Sequence, residues 1–332
     1  MLKKKMIMPR TVQACFEEFN REIVNLDTCQ NGTANRSRDW LIGQIHSKCT
    51  AGVLPASYSE KDMKFGSFAR KTKIRPLDDI DIMICYKGQG GKYRVTKTEN
   101  VYDITMPDRI KVLSALRNDD DTLNSRKVVE NLKAALINVP QYQNADIHRN
   151  KEAVTLQLSS YDWNFDIVPC FHTDTNFYLI PDGQGRWKPT NPRVDKLRIE
   201  EADKNVGMTR QIIRTMKFWK NRIWGKTLES YAFEQMILSI VERMELYDIQ
   251  RSVYVILENL STDIMNAIPD PKGYQGDLNT LNMEVRQTLS ASAVRHAAMA
   301  NNAYIAEVFE DDHAKAIGLW RNVFGNDFPI YG

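Results

Sequence analysis

One run of residues constrains this chain more than any other: Asp79-Ile-Asp81-Ile-Met-Ile-Cys-Tyr86. Its β-rich, alternating start reads as a strand over Ile80–Tyr86, and in a strand alternate residues share a face. Asp79 and Asp81 then project together while Ile80 and Ile82 enter a core. Two carboxylates side by side repel each other unless a cation neutralises them, and a hard divalent ion with oxygen ligands is the natural partner. An isolated Asp-x-Asp is more often a solvated strand end. Here it follows Met63-Lys-Phe65-Gly66-Ser67, a short strand ended by a Gly-Ser turn. Such a turn, leading into a helix, offers backbone N–H groups and a hydroxyl, which suits a triphosphate tail. The loop and helix between Ser67 and Asp79 are long enough to return the chain beside the first strand. A third carboxylate, Asp166, lies among apolar residues of a predicted strand Asn164–Val168, where an unpaired charge is costly.

The rest of the chain narrows the class. It has 332 residues and a net charge of +3, from 45 Lys+Arg against 42 Asp+Glu, which argues against a dedicated duplex-binding protein. Five cysteines without a CxxC form neither a disulfide framework nor a zinc site, and fit a reducing cytosol. The start MLKKKMIMPR has positive charge without an apolar stretch behind it, unlike a secretory signal, and no apolar run reaches membrane-spanning length. The expectation is a cytoplasmic protein that does not contact a membrane.

Hydrophobic spacing predicts a helix over Thr11–Leu26, a break at Gln30-Asn31-Gly32, and a second helix from Ser37 to the stop at Gly52–Pro55. Strands follow at Tyr102–Thr105, Ala153–Leu158 and Asn164–Val168, the last ended by Pro169. A helix spans Ser125–Val139, capped near Asn124 or Ser125. After Leu179 no further strand is predicted. A Pro/Gly-rich connector, Ile180–Pro192, leads to helices at Glu200–Trp224, Ser230–Tyr247, Arg251–Leu260, Leu278–Ala300 and Tyr304–Val323. The plan is α+β: residues 1–180 form a mixed α/β core with a helical lead, and 181–332 a helical domain.

Gly66-Ser67, then Asp79-Ile-Asp81, then a distant strand Asp166 resembles the polymerase-β-type nucleotidyltransferase superfamily. The resemblance implies a mixed-sheet core in which the three aspartates hold two Mg²⁺ ions, with Mn²⁺ as a substitute. Asp79 and Asp81 would ligate both metals and the triphosphate, Asp166 the metal at the acceptor hydroxyl. Gly66 and Ser67 would contact the β- and γ-phosphates. Farther on, Lys217-Phe-Trp219-Lys220 precedes Ser230-Tyr231. That pairing resembles oligoadenylate synthetases, cyclic GMP-AMP synthases and terminal uridylyltransferases. There the lysine neutralises triphosphate charge, the serine donates to a phosphate and the tyrosine stacks on the base. Lys217 and Lys220 share a helical face. Taken alone, the segment reads equally as two core helices with snorkelling lysines; beside the carboxylates, the nucleotide-binding reading leads for Lys217, Ser230 and Tyr231, and Lys220 stays open.

The helical lead, the connector with Trp187, and the ending Trp320–Pro329 are most similar to the bacterial CD-NTases. The resemblance implies a cyclic di- or trinucleotide second messenger made from ATP, GTP or both, in CBASS-type antiphage defence. Effector and regulatory proteins are the implied partners. Lys71 stands where many members carry glycine before Thr72, and no Cys/His cluster exists for the zinc thumb of animal DNA sensors. Two alternatives stay open. One is an RNA terminal nucleotidyltransferase or linear oligoadenylate synthetase, since Arg193–Lys226 holds ten basic against four acidic residues. The other is a non-catalytic nucleotide-binding protein.

Overall fold

A computed structural model describes residues 11–332. The N-terminal segment weighed above as a signal lies outside the described residues. In chain order the elements are α1 (Val12–Phe19), α2 (Thr28–Thr50), β1 (Met63–Lys64), α3 (Gly66–Arg70), β2 (Asp79–Tyr86), β3 (Lys92–Val95), β4 (Tyr102–Thr105), α4 (Lys111–Ser114) and α5 (Ser125–Ile137). There follow β5 (Asp146–Asn150), β6 (Ala153–Gln157), β7 (Asn164–His172), β8 (Tyr178–Pro181), β9 (Trp187–Thr190) and α6 (Pro192–Val206). The chain closes with α7 (Thr209–Ile223), α8 (Ser230–Arg243), α9 (Ile249–Asp263), α10 (Met283–Val308) and α11 (His313–Phe324).

Two compact units result, and neither is continuous in sequence. A sheet unit takes Thr28–Lys71 and Pro76–Asp195; a helical unit takes the chain up to Asp27, Thr72–Arg75 and Lys196 onward. The N-terminal lead divides between them. α1 packs in the helical unit because Phe16 meets Trp320, Phe324 and Phe328 edge-on at 5.0–5.7 Å. The compositional change near residue 180 falls in β8, and the crossing between units lies within α6.

In the sheet unit nine strands run in the order β1-β2-β7-β8-β9-β4-β3, with β5-β6 joining β7. β2 and β7 pair in parallel; the other pairings are antiparallel. β7 carries β2 on one edge. Its other edge pairs first with β6, over Asn164–Ile167, and then with β8, over Phe171–His172. Pro169 does not end the strand. It falls in the interval between those two partners, where a missing N–H disturbs that edge least.

Other local signals were overridden by tertiary burial. Gln30-Asn31-Gly32 lies inside α2, whose buried Ala34, Arg38, Leu41, Ile45 and Cys49 keep helical spacing. The connector is a β-hairpin, β8–β9. Gly183 and Gly185 turn it at positive φ, and fully buried Trp187 donates its indole N–H to the Leu123 carbonyl at 2.9 Å. Glu200–Trp224 divides into α6 and α7 at Gly207, which has φ +76. β3 and β5 are additional strands, short and largely exposed, with little apolar alternation to announce them. α5 was predicted well: the Asn124 side chain accepts from the Lys127 N–H at 3.1 Å.

In the helical unit a stripe of buried alanines on α10 (Ala293, Ala297, Ala300, Ala303, Ala306) lets the neighbouring helices pack closely. Among the described residues no helix is long and apolar enough to cross a membrane.

Candidate active site

β2 and β7 set out the carboxylates as their alternation requires. Asp79 and Asp81 are partly exposed between buried Ile80 and Ile82, and Asp166 is partly exposed between buried Phe165 and Ile167. The parallel register pairs Asp81 with Asp166 and Asp79 with Asn164. Two residues further along this face the chemistry changes, and Met83, Cys85, Val168 and Cys170 join a buried apolar cluster. The carboxylates therefore stand at the rim of a dry core rather than on a wet surface.

Thr155 on β6 lies opposite Asp166, and its hydroxyl donates to Asp166 Oδ1 at 2.6 Å. His148 on β5 faces Thr155, so His148, Thr155, Asp166 and Asp81 form one row across four strands. Burial holds the Asp166 carboxyl above the ordinary aspartate value; the Thr155 hydrogen bond opposes this, and the charge of Asp79 adds to it. Desolvation and the neighbouring negative charges both disfavour the ionised carboxylate here.

The Gly-Ser turn abuts Asp81. Gly66 opens α3 at φ +71, after extended Phe65, whose N–H donates to the Asp81 carbonyl at 3.3 Å. A Cβ on Gly66 would lie 1.7 Å from Asp81 Oδ2, so only glycine fits. Ser67 follows in the first turn, partly exposed, and Lys71 ends α3 in the left-handed conformation at φ 62. Lys71 thus takes up a left-handed backbone shape of the kind that favours glycine. Asp79, Asp81, Asp166, Gly66 and Ser67 are gathered in the sheet unit.

Lys217, Lys220, Ser230 and Tyr231 belong to the helical unit. Ser230 is exposed at the start of α8, where no side chain caps the helix. Tyr231 is partly exposed and donates to Asp270 Oδ1 at 3.4 Å. Lys217 is only 6% exposed, with its ammonium on Glu234 and 3.2 Å from the Thr72 carbonyl. Glu234 also accepts from the Thr72 hydroxyl at 2.9 Å. Lys220 is 2% exposed; burial lowers its affinity for a proton, Glu229 counteracts this, and Lys217 adds to it. Sequence reasoning did not single out Thr155 or Glu234. Thr155 alone had a signal, a hydroxyl within the apolar strand Ala153–Gln157.

The oxygen-only donor set suits a hard ion such as Mg²⁺. Among the described residues no group of three or more His, Cys, Asp or Glu side chains is already arranged to hold a metal ion.

A mixed curled sheet with strand aspartates against a Gly-Ser turn, together with N- and C-terminal helices in the chain, defines the polymerase-β-like nucleotidyltransferase fold. Residues 10–203 match the Second Messenger Oligonucleotide or Dinucleotide Synthetase domain, and the chain belongs to that family, an enzyme of the bacterial CD-NTases. It is 39% identical over 335 residues, 98% of this chain and 99% of the relative, to a probable cyclic nucleotide synthase of Bacillus cereus strain VD146. A cyclic AMP-AMP-AMP synthase of Acinetobacter is 27% identical over 80% of this chain and 71% of its own. In fold it is similar to E. coli CdnC solved with ATP, with a TM-score of 0.68 at 14% identity, covering 95% of this chain and 98% of that one. Vibrio cholerae DncV, a cyclic AMP-GMP synthase, gives a TM-score of 0.68 at 11% identity, covering 96% and 97%.

Proposed function

We propose that this enzyme joins nucleoside triphosphates, ATP, GTP or both, into a cyclic di- or trinucleotide second messenger. The observation that carries the reading is the in-register row of Asp81 and Asp166 beside Asp79, with Gly66 pressed against Asp81. Asp79, Asp81 and Asp166 would hold two Mg²⁺ ions, or Mn²⁺. What the bound ions supply is acidification of the attacking hydroxyl and charge stabilisation of the leaving pyrophosphate. The residues of the chain do the rest. Gly66 lets the backbone approach the phosphates without a Cβ, and Ser67 offers a hydroxyl beside them. Ser230, at an open helix N-terminus, offers a second anion contact. Tyr231 provides a ring for a base, and Lys217 and Lys220 add positive charge on one helix face. The 2′- or 3′-hydroxyl of the acceptor attacks the α-phosphorus of the donor; a P–O bond forms, the bond to pyrophosphate breaks, and the hydroxyl proton passes to water. A second such transfer within the linear product closes the ring.

The RNA-dependent alternative draws little support. Two of the basic residues that favoured it are already paired, Arg198 with Glu242 at 2.6 Å and Arg210 with Asp203. A cytoplasmic setting is proposed from the sequence, whose five cysteines lack the spacing of a disulfide framework, and an antiphage role is part of the proposal through the family resemblance. E. coli CdnC has been solved in complex with a HORMA protein, and a regulatory protein partner is proposed here by analogy. Incubation with labelled NTPs and Mg²⁺, with and without RNA, tests the reading. Small phosphatase-resistant products are expected; elongation of RNA in their place would overturn it.

Thr155 supplies a second test. By orienting Asp166 it should act as metal-site supporting groups do, and Thr155→Val should lower turnover by about 10–100-fold. Steady-state assays at saturating NTP measure this. Turnover equal to wild type would remove Thr155 from the site.

A further inference from the structure

The loop after α9 is built around one carboxylate. The Asp270 side chain is fully buried and accepts from the backbone N–H groups of Lys272, Tyr274 and Gln275 at 3.1–3.3 Å, with Gly273 turning the chain at φ +72. These bonds shape the loop by themselves. Yet the loop also carries Lys272, whose side chain is 7% exposed and whose ammonium lies 3.4 Å from Asp270. The same ammonium donates to the Tyr231 hydroxyl and sits 4.1 Å from the centroid of the Tyr231 ring. Burying a lysine is costly, and an apolar side chain would fill the space at lower cost. The geometry therefore has a use for charge at this ring.

We propose that Lys272, anchored by Asp270, is a positioning residue for Tyr231 and so for the nucleotide base. The inference rests on the reading of Tyr231 as the base-stacking ring. An ammonium over one face holds the ring through a cation–π contact and its hydroxyl through a hydrogen bond. Tyr231 remains partly exposed, so ring surface is left for a base. A ring fixed beforehand loses less freedom when the base arrives, and one polarised by a cation suits the electron-rich face of a purine.

The test compares Lys272→Met, Lys272→Arg, Tyr231→Leu and the Met/Leu double variant of the full chain, titrated with nonhydrolysable ATP and GTP analogues. Lys272→Met should weaken binding by about 10-fold and raise KM more than it lowers kcat. Lys272→Arg should restore most of the loss. The double variant should bind no worse than Tyr231→Leu alone, because the lysine acts through the ring. Wild-type affinity in Lys272→Met, or additive losses in the double variant, would overturn the proposal while leaving Tyr231 as a base contact. Wild-type affinity in Tyr231→Leu would instead remove the base-stacking reading. Melting temperatures of all four variants identify any that fail to fold.

Discussion

Replacing Asp79 and Asp81 together by alanine should abolish nucleotide transfer and leave a folded protein. The two side chains share one face of β2 and are partly exposed, so their removal opens no core cavity. The backbone of the site survives, because the ladder pairing Ile80–Tyr86 with Phe165–Phe171 does not use the carboxylates. What is lost is the oxygen donor set. If bound metal contributes several kcal/mol of charge stabilisation in the transition state, and each 1.4 kcal/mol is tenfold in rate, turnover should fall by more than about 10³-fold. Product analysis by mass spectrometry from an NTP mixture measures this. A second readout does not depend on catalysis. Mg²⁺ with NTP should raise the melting temperature of the wild-type chain by linkage, and the double variant should lose most of that rise. Activity near wild type in the double variant would refute the metal assignment. An equal ligand-induced rise in both proteins would refute it as well, even if turnover fell.

The order in which features became visible follows from the range of the forces involved. Asp79 and Asp81 were legible because strand alternation is local: two residues on, the same face recurs. Asp166 was legible as an anomaly, a charge between Phe165 and Ile167, but its place beside Asp81 comes from parallel pairing between strands far apart in sequence. The Thr155 contact needs a third strand in register and is written in no local pattern. Turn signals misled where burial outweighed them. Gln30-Asn31-Gly32 entered a helix whose apolar face was worth more than the local preference of three residues. The Pro/Gly-rich connector became a hairpin because Trp187 could bury completely and satisfy its indole N–H. Lys272 had no signal at all; its position is set by a loop folded around Asp270.

Glu234 carries the largest expected effect on stability. It lies on α8, and its carboxylate is fully buried against the Lys217 ammonium from α7 and the Thr72 hydroxyl. Thr72 heads the short segment Thr72–Arg75, which belongs to the helical unit although the residues on either side of it do not. The Lys217 ammonium has three donors, directed at Glu234, the Thr72 carbonyl and, at 3.4 Å, the Thr72 hydroxyl. Glu234→Ala would strand this ammonium in the interior, a change that costs about 3–5 kcal/mol in buried pairs and should lower the melting temperature by about 10 °C. Thermal unfolding followed by circular dichroism measures it. Replacing both residues by methionine should recover a large part of the loss, because the stranded charge goes while the volume stays nearly filled. The double variant also separates two roles for Lys217. If the lysine serves the triphosphate as well as Glu234, Lys217→Met/Glu234→Met should regain stability but not turnover. If it serves only to fix Thr72, turnover should return with stability. A Glu234→Ala protein that melts within 2 °C of wild type would show that the pair is hydrated in solution and holds Thr72 only weakly.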